Sequence, residues 1–147
     1  MRKLIYLDNC CFNRPYDDQT QPKVVIETLA KLHIQELVLK HELDIAWSYI
    51  LKFENSQNIF EAKRENIAKW EKLSICFIEK SDAVTILAKQ IAETGITPAD
   101  SLHIACAITA KCNYMVTVDN RLLKYKDSRI IICNPVDFIN RESEHDK

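Results

Sequence analysis

The stretch that decides the fold is TPADSLHIACAITAKCNYMVTVDN, residues 97–120. Thr97 followed by Pro98 is a typical helix start, because threonine caps the first turn and proline is tolerated at the first helical position. The residues from Leu102 to Ile108 are apolar on nearly every side of the predicted helix. A helix of this kind is buried, so the stretch predicts a helix packed inside a layered fold.

The same stretch ends in a second predicted element that carries an acid. Residues 114–118 form an apolar run typical of a strand, and Asp119 follows it directly, whereas Asp100 lies in the first turn of the preceding helix. Near the N-terminus, the apolar run 4–7 predicts another strand, which is followed at once by Asp8. Three carboxylates therefore stand at the ends of predicted elements.

The remainder of the chain alternates between helical spacing and short apolar runs. Helices are predicted at residues 23–40, 49–55, 59–73 and 81–95, further strands at 44–48, 75–78 and 129–133, a loop at 10–22, and a short helical turn at 135–140. Parallel neighbouring strands need such helical crossovers. We therefore expect a three-layer α/β/α sandwich with a mostly parallel central sheet, formed by one domain at residues 1–140 and followed by a polar tail at 141–147.

Composition narrows the possible functions. The net charge of −1 neither requires nor excludes a nucleic-acid partner, and the single glycine argues against a glycine-rich phosphate loop or dinucleotide fingerprint. Six cysteines are scattered without a CxxC pair, which indicates reduced thiols in a cytoplasmic protein rather than a zinc site. The short N-terminal apolar run resembles neither a signal peptide nor a membrane span.

The three acids point to a metal site when they are considered together. Individually, Asp100 is also compatible with a helix-capping role, and Asp8 and Asp119 with ordinary turn positions. At the same edge of a parallel sheet, however, three carboxylates repel one another unless a cation or proton neutralises them. Mg²⁺ and Mn²⁺ prefer carboxylate oxygens, so the pattern predicts a hard-cation site suited to phosphodiester hydrolysis.

These motifs carry a resemblance to a known family. The YLDN opening, the ADSLHIACA helix start and the VTVDN strand end resemble, in order, the three acidic motifs of the PIN domain, the fold family of VapC-like toxin ribonucleases. The resemblance spans residues 3–134. It implies a PIN-like fold in which Asp8, Asp100 and Asp119 bind the metal and act in catalysis. Glu54 matches the further acid of the family, with the same two roles.

The resemblance also implies an activity and partners. It suggests a Mg²⁺- or Mn²⁺-dependent endoribonuclease, the toxin of a type II toxin–antitoxin pair, with RNA as substrate, a cognate antitoxin and a possible homodimer. Many relatives place another acid where this chain has Asn120 and Arg121. Whether the site binds one metal ion or two therefore remains open. A non-catalytic PIN-like module that binds RNA or protein is the alternative, and a small-molecule phosphatase is a third reading.

Other residues near the motifs have supporting roles in this interpretation. Asn9 and Thr117 are expected to orient the carboxylates, because an amide or a hydroxyl beside a ligand can fix its direction. Substrate phosphates are expected to meet Arg14, Arg121 and Lys124, for which ordinary surface charge is the alternative. His103, one turn after Asp100, is expected to be a structural histidine of the buried helix.

Overall fold

The computed structural model describes residues 2–145, with side chains up to residue 143. Its strands are β1 (Lys3–Leu7), β2 (Leu43–Ser48), β3 (Cys76–Ile78), β4 (Tyr114–Val116) and β5 (Ile131–Cys133). Its helices are α1 (Asn9–Asn13), α2 (Pro22–Leu39), α3 (Tyr49–Ser56), α4 (Glu61–Leu73), α5 (Asp82–Ala92), α6 (Pro98–Thr109), α7 (Asn120–Leu123) and α8 (Pro135–His145).

The strands form one sheet in the order β3-β2-β1-β4-β5, and all four pairings between neighbours are parallel. The chain moves outward from β1 to β3 and then returns to the other side of β1 to form β4. The strand order therefore reverses between β1 and β4. In open parallel sheets, the crevice at such a reversal lies at the carboxyl ends of the strands and is the usual ligand site.

Helices cover both faces of the sheet, as the alternation of side chains on β1 shows. Tyr114 is level with Ile5 in the β1–β4 register, so Tyr6 points to the opposite face. Phe138 of α8 lies against Tyr114, with ring centroids 5.0 Å apart, and His103 of α6 lies against Tyr6 at 5.7 Å. Since α2 packs beside α8 and α5 beside α6, the predicted three-layer sandwich is confirmed.

The predicted buried helix is α6, and its capping is as expected. The Thr97 hydroxyl accepts a hydrogen bond from the Asp100 backbone N–H at 3.2 Å. Ile104, Ala105 and Cys106 are fully buried in the core. The stretch quoted above thus supplies one wall of the core, and its burial fixes the position of both acids it carries. Within residues 2–145, no helix combines the length and the hydropathy needed to cross a bilayer.

The loop predicted at residues 10–22 is wrong in its first half. Residues 9–13 form α1, and residues 14–16 form a single 3-10 turn. The Asp8 side chain caps α1, while Cys11 and Phe12 are buried at 0% and 1% exposure. Burial of two apolar side chains thus stabilises a helix that the turn-like composition conceals.

The last helix is longer than the turn predicted at residues 135–140. It continues to His145, so residues 141–145 are helical, while residues 146–147 of the predicted tail lie outside the described part of the chain. Arg141 pairs with Asp137 one turn earlier, and the Tyr114 hydroxyl donates to Glu142 at 2.8 Å. These contacts extend the helix along the sheet.

Helix α2 buries a lysine. Lys31 is only 5% exposed, and its ammonium lies 5.6 Å from the centre of the Phe12 ring. Burial lowers the pKa of Lys31 to about 8, because removing an ammonium from water disfavours its charged form. The cation–π contact offsets part of this cost.

We predict that Lys31→Met stabilises the protein at neutral pH by roughly 1–2 kcal/mol, because methionine keeps the apolar stem without the buried charge. The pKa of Lys31 is lower in the folded than in the unfolded protein, so burial of its charge destabilises the wild-type fold. This destabilisation is complete below pH 8 and disappears as pH rises towards the unfolded pKa near 10.4. Denaturant unfolding at pH 7 and pH 10 measures the difference in the free energy of unfolding between Lys31→Met and the wild type. The exposed Lys23→Met on the same helix is the control, and a gain equal at both pH values would contradict the prediction.

Candidate metal centre

A cleft of about 400 Å³ opens at the carboxyl ends of β1 and β4. Its walls are formed by Asp8, Asn9, Cys10, Asn13, Phe53, Glu54, Gln57, Asp100, His103 and Asp119. All four acids predicted from the sequence thus line one cleft. They come from four separate segments of the chain, namely the ends of β1 and β4, helix α3 and the first turn of α6.

Asp8 is the most buried of these acids, at 6% exposure. Its backbone N–H donates to the Val116 carbonyl at 2.9 Å, which continues the pairing of β1 with β4 beyond the strand end. One carboxylate oxygen accepts from the Asn9 backbone N–H at 2.8 Å. The other accepts from the Thr117 hydroxyl at 2.9 Å and from the Cys10 thiol at 3.3 Å. Each oxygen is therefore held in a fixed direction.

The two residues predicted to orient the carboxylates do so in different ways. Thr117 is fully buried and joins two acids, because its hydroxyl donates to Asp8 and accepts from the Asp119 backbone N–H at 3.1 Å. Asn9 contacts Asp8 through its backbone N–H, whereas its side chain lines the cleft. The expectation that the Asn9 amide side chain orients the carboxylate is thus replaced by a backbone contact.

Glu54, His103 and Asp8 lie close together in the cleft. His103 Nε2 lies 2.8 Å from one oxygen of Glu54 and 3.9 Å from one oxygen of Asp8. One possible ligand atom from each of the three residues lies within 4.8 Å of the others. His103 is 1% exposed, so it is a buried histidine as expected, but its partner is a site acid. Sequence reasoning assigned it only to the helix core.

The remaining acids stand at helix starts. Asp119 caps α7 by accepting from the Arg121 backbone N–H at 2.8 Å. Asp100 is half-buried, and its pKa is raised. Burial is the largest cause, the hydrogen bond with Thr97 opposes it, and the negative charges of Asp8 and Asp119 raise the pKa further. Burial lowers the pKa of His103, but the hydrogen bond to Glu54 and the charge of Asp8 outweigh it, so this pKa is also raised. The cleft therefore favours added positive charge.

The basic residues predicted to meet phosphates are placed elsewhere. Arg14 donates to Glu27 at 2.7 and 3.0 Å and to Asp17 at 3.1 Å, so its guanidinium is already paired. Arg121 and Lys124 are exposed, and neither of them nor Arg14 lines the cleft in the described part of the chain. A phosphate would have to compete with these two carboxylates for Arg14, and the phosphate-binding role of the three basic residues stays a prediction.

Several lining residues were not predicted. Phe53 is 59% exposed at the rim of the cleft, and Gln57 and Asn13 add amide groups. Phe53 precedes Glu54 on α3, and Gln57 is the C-cap residue of that helix, so their closeness to the acid in the sequence was the available signal. The Cys10 thiol, which the sequence analysis assigned no role at the site, contacts both Asp8 and Thr117.

The donor set fits a hard divalent cation. Asp8 and Glu54 bring carboxylate oxygens close together, and Asp100 and Asp119 add two more on the same cleft. Mg²⁺ and Mn²⁺ take such oxygens together with water and phosphate. His103 Nε2 lies beside these acids, and its 2.8 Å contact with Glu54 is that of a hydrogen bond.

Comparisons with known proteins agree with this structure. The sequence matches the family model of the PIN domain over residues 5–128. Comparison with curated protein sequences gives no match. The fold is similar to a chain in the crystal structure of VapBC2 from Rickettsia felis bound to a DNA fragment from their promoter, with a TM-score of 0.55 and 15% identity over 89% of this chain and 98% of that chain. The family match confirms the resemblance inferred from the acidic motifs.

We predict that Mg²⁺ or Mn²⁺ in the millimolar range raises the thermal midpoint of the wild-type protein, because the cation binds only the folded state. When the free metal concentration is ten times the dissociation constant, the expected rise is about 3–6 °C. Asp100→Asn should reduce this shift by at least about half, since it removes one carboxylate from the cleft. Differential scanning fluorimetry measures both. Asp82→Asn, an exposed first-turn acid of α5, is the matched control and should keep the full shift. A wild-type midpoint unchanged by either metal would contradict the prediction.

Proposed function

The chain belongs to the PIN domain family, and on that premise we propose that it is a Mg²⁺- or Mn²⁺-dependent endoribonuclease. The observation that carries the proposal is the meeting of Asp8, Glu54, Asp100 and Asp119 around one cleft. These side chains come from four segments that only the folded chain brings together. A merely structural set of acids has no reason to converge, because their mutual repulsion costs free energy.

The residues of the chain divide the work as follows. Asp8, Glu54, Asp100 and Asp119 hold the cation, which when bound polarises the phosphodiester and offsets the charge that develops on the attacking and leaving oxygens. Thr117 and the Asn9 backbone N–H keep the Asp8 carboxylate in its direction. None of the acids needs to act as a covalent nucleophile.

The rim of the cleft favours a single-stranded nucleic acid over a small phosphoester. Phe53 offers an exposed aromatic ring next to Glu54, and unpaired bases stack on such rings without regard to sequence. Asn9, Asn13 and Gln57 offer amide groups on the same walls, which are suited to hydrogen bonds with base edges or the 2′-hydroxyl. These features support RNA as the substrate.

We further propose that the protein is the toxin of a type II toxin–antitoxin pair and acts in the cytoplasm. The similar fold of a chain from the VapBC2 complex of Rickettsia felis supports a cognate antitoxin as partner. The reduced cysteines support a cytoplasmic setting, since six free thiols are spread over the described chain. Self-association as a homodimer belongs to the same proposal.

We predict that the wild-type protein cleaves a panel of single-stranded RNAs in Mg²⁺ or Mn²⁺ and that Asp100→Asn lowers the rate by about 100-fold or more, the size typical for losing one group that stabilises transition-state charge. Gel-based cleavage with and without a chelator measures this, with Asp82→Asn as the control. Equal cutting by Asp100→Asn and wild type, or cutting that survives chelation, would refute the proposal. Metal binding without cleavage of any RNA would instead favour a non-catalytic binding module.

We predict that Phe53→Ala raises the KM for single-stranded RNA about tenfold with little change in kcat, because base stacking on an aromatic ring contributes about 1–3 kcal/mol to binding. The fold should tolerate the change, since Phe53 is largely exposed. Phe60→Ala removes a ring of 63% exposure that does not line the cleft, and it should leave KM unchanged. Equal effects of the two variants would argue against a stacking role for Phe53.

A further inference from the structure

Behind the cleft lies a chain of hydrogen bonds that starts and ends on one segment. The Tyr6 hydroxyl is 2.6 Å from the Ser48 hydroxyl and 2.6 Å from His103 Nδ1, and His103 Nε2 is 2.8 Å from Glu54 Oε1. Tyr6, Ser48 and His103 are at most 1% exposed. Ser48 is also the N-cap of α3, the helix that carries Glu54. The chain of bonds therefore ties both ends of one helix segment to β1 and α6.

The donors and acceptors of this chain can be assigned from the groups themselves. A carboxylate only accepts, so Glu54 takes the Nε2–H of His103. With a neutral imidazole, Nδ1 accepts from the Tyr6 hydroxyl, which in turn accepts from Ser48. With a protonated imidazole, the Nδ1–H donates to Tyr6, and Tyr6 donates to Ser48. In both states the Nε2–H is directed at Glu54, so the contact does not depend on the charge of His103.

The hydrogen bond from His103 fixes the direction of the Glu54 carboxylate in the cleft. Glu54 lies on a short helix with 28% of its side chain exposed, and a glutamate in that setting would otherwise sample several rotamers. The bond from His103 engages Oε1, while Oε2 has no hydrogen-bond partner among the described residues. One oxygen is thus fixed by the protein, and the other is left for a ligand.

Resting on the proposed function, we propose that Tyr6 and His103 are positioning residues that hold Glu54 for metal binding. Tyr6 fixes the plane of the imidazole from the buried side, and the imidazole fixes the carboxylate. His103 acts through Glu54 rather than as a ligand, since its two nitrogens are both engaged within the protein. Partners of this kind typically change metal affinity by about 10–100-fold when removed.

The test measures Mn²⁺ affinity by electron paramagnetic resonance and the RNA cleavage rate as a function of Mn²⁺. Tyr6→Phe removes only the hydroxyl, and Tyr114→Phe is its matched control. Tyr114 is also buried and lies on the neighbouring strand, but its hydroxyl donates to Glu142, which does not line the cleft. His103→Leu removes the donor to Glu54. His103→Gln keeps an N–H donor at that end of the side chain.

The expected result is a Mn²⁺ dissociation constant raised about tenfold in His103→Leu and roughly threefold or more in Tyr6→Phe, with His103→Gln near wild type. Tyr114→Phe should bind Mn²⁺ unchanged. The Mn²⁺ needed for half-maximal cleavage should rise in parallel, while the KM for RNA at saturating Mn²⁺ stays constant. Circular dichroism confirms that each variant is folded, and Tyr6→Phe carries the test if His103→Leu does not fold.

Three outcomes would overturn the proposal. These are wild-type Mn²⁺ affinity in Tyr6→Phe and His103→Leu, an equal loss in His103→Gln and His103→Leu, or a directly coordinated nitrogen in the spin-echo spectrum of bound Mn²⁺, which would make His103 a ligand. Failure of the proposed function is distinguishable from these results, because Mn²⁺ affinity is measured without RNA. A protein that cuts no RNA but shows the expected affinities would keep the positioning role.

Discussion

Bringing like charges together costs free energy, and this protein places four carboxylates around one cleft. The sheet makes the arrangement possible, because β1 and β4 are adjacent where the strand order reverses, and each strand is followed by an acid. The strands cannot easily shift, since Ile5, Met115 and Val116 are fully buried between the helical layers. Packing of the hydrophobic core thus holds the acids together against their repulsion, and the resulting site favours added positive charge.

Backbone groups reduce this cost without removing the charge. The strand ends pass directly into helices, so the N–H groups of the next residues point back at the acids: Asn9 donates to Asp8, and Arg121 donates to Asp119. Thr117 then links the two acids through one hydroxyl. These donors carry no net charge, so they fix the directions of the carboxylates without adding a competing cation. The same short helices that look incidental in the fold therefore set the directions of the ligands.

Periodicity sufficed to predict the sheet, the long helices and the placement of the acids, because those features follow from local apolar spacing and from the rule that parallel strands end at one edge. The rest depended on contacts between distant residues. Helix α1 forms because Phe12 is buried, the last helix extends where Glu142 meets Tyr114, and Arg14 pairs with Glu27. His103 looked like a core residue because its partner Glu54 is 49 positions away, a separation that carries no pattern in the sequence.

The four acids differ in the hydrogen-bond donors directed at their carboxylate oxygens. Asp8 has a donor on each oxygen, Asp119 has a backbone N–H and Glu54 has the His103 Nε2–H. Asp100 lies at the start of a helix, where the dipole favours its charge, yet burial and the charges of its neighbours still raise its pKa. Because the charges of Asp8 and Asp119 raise this pKa while the hydrogen bond with Thr97 opposes the rise, a cation in the cleft would favour the charged form of Asp100 by offsetting the two neighbouring charges.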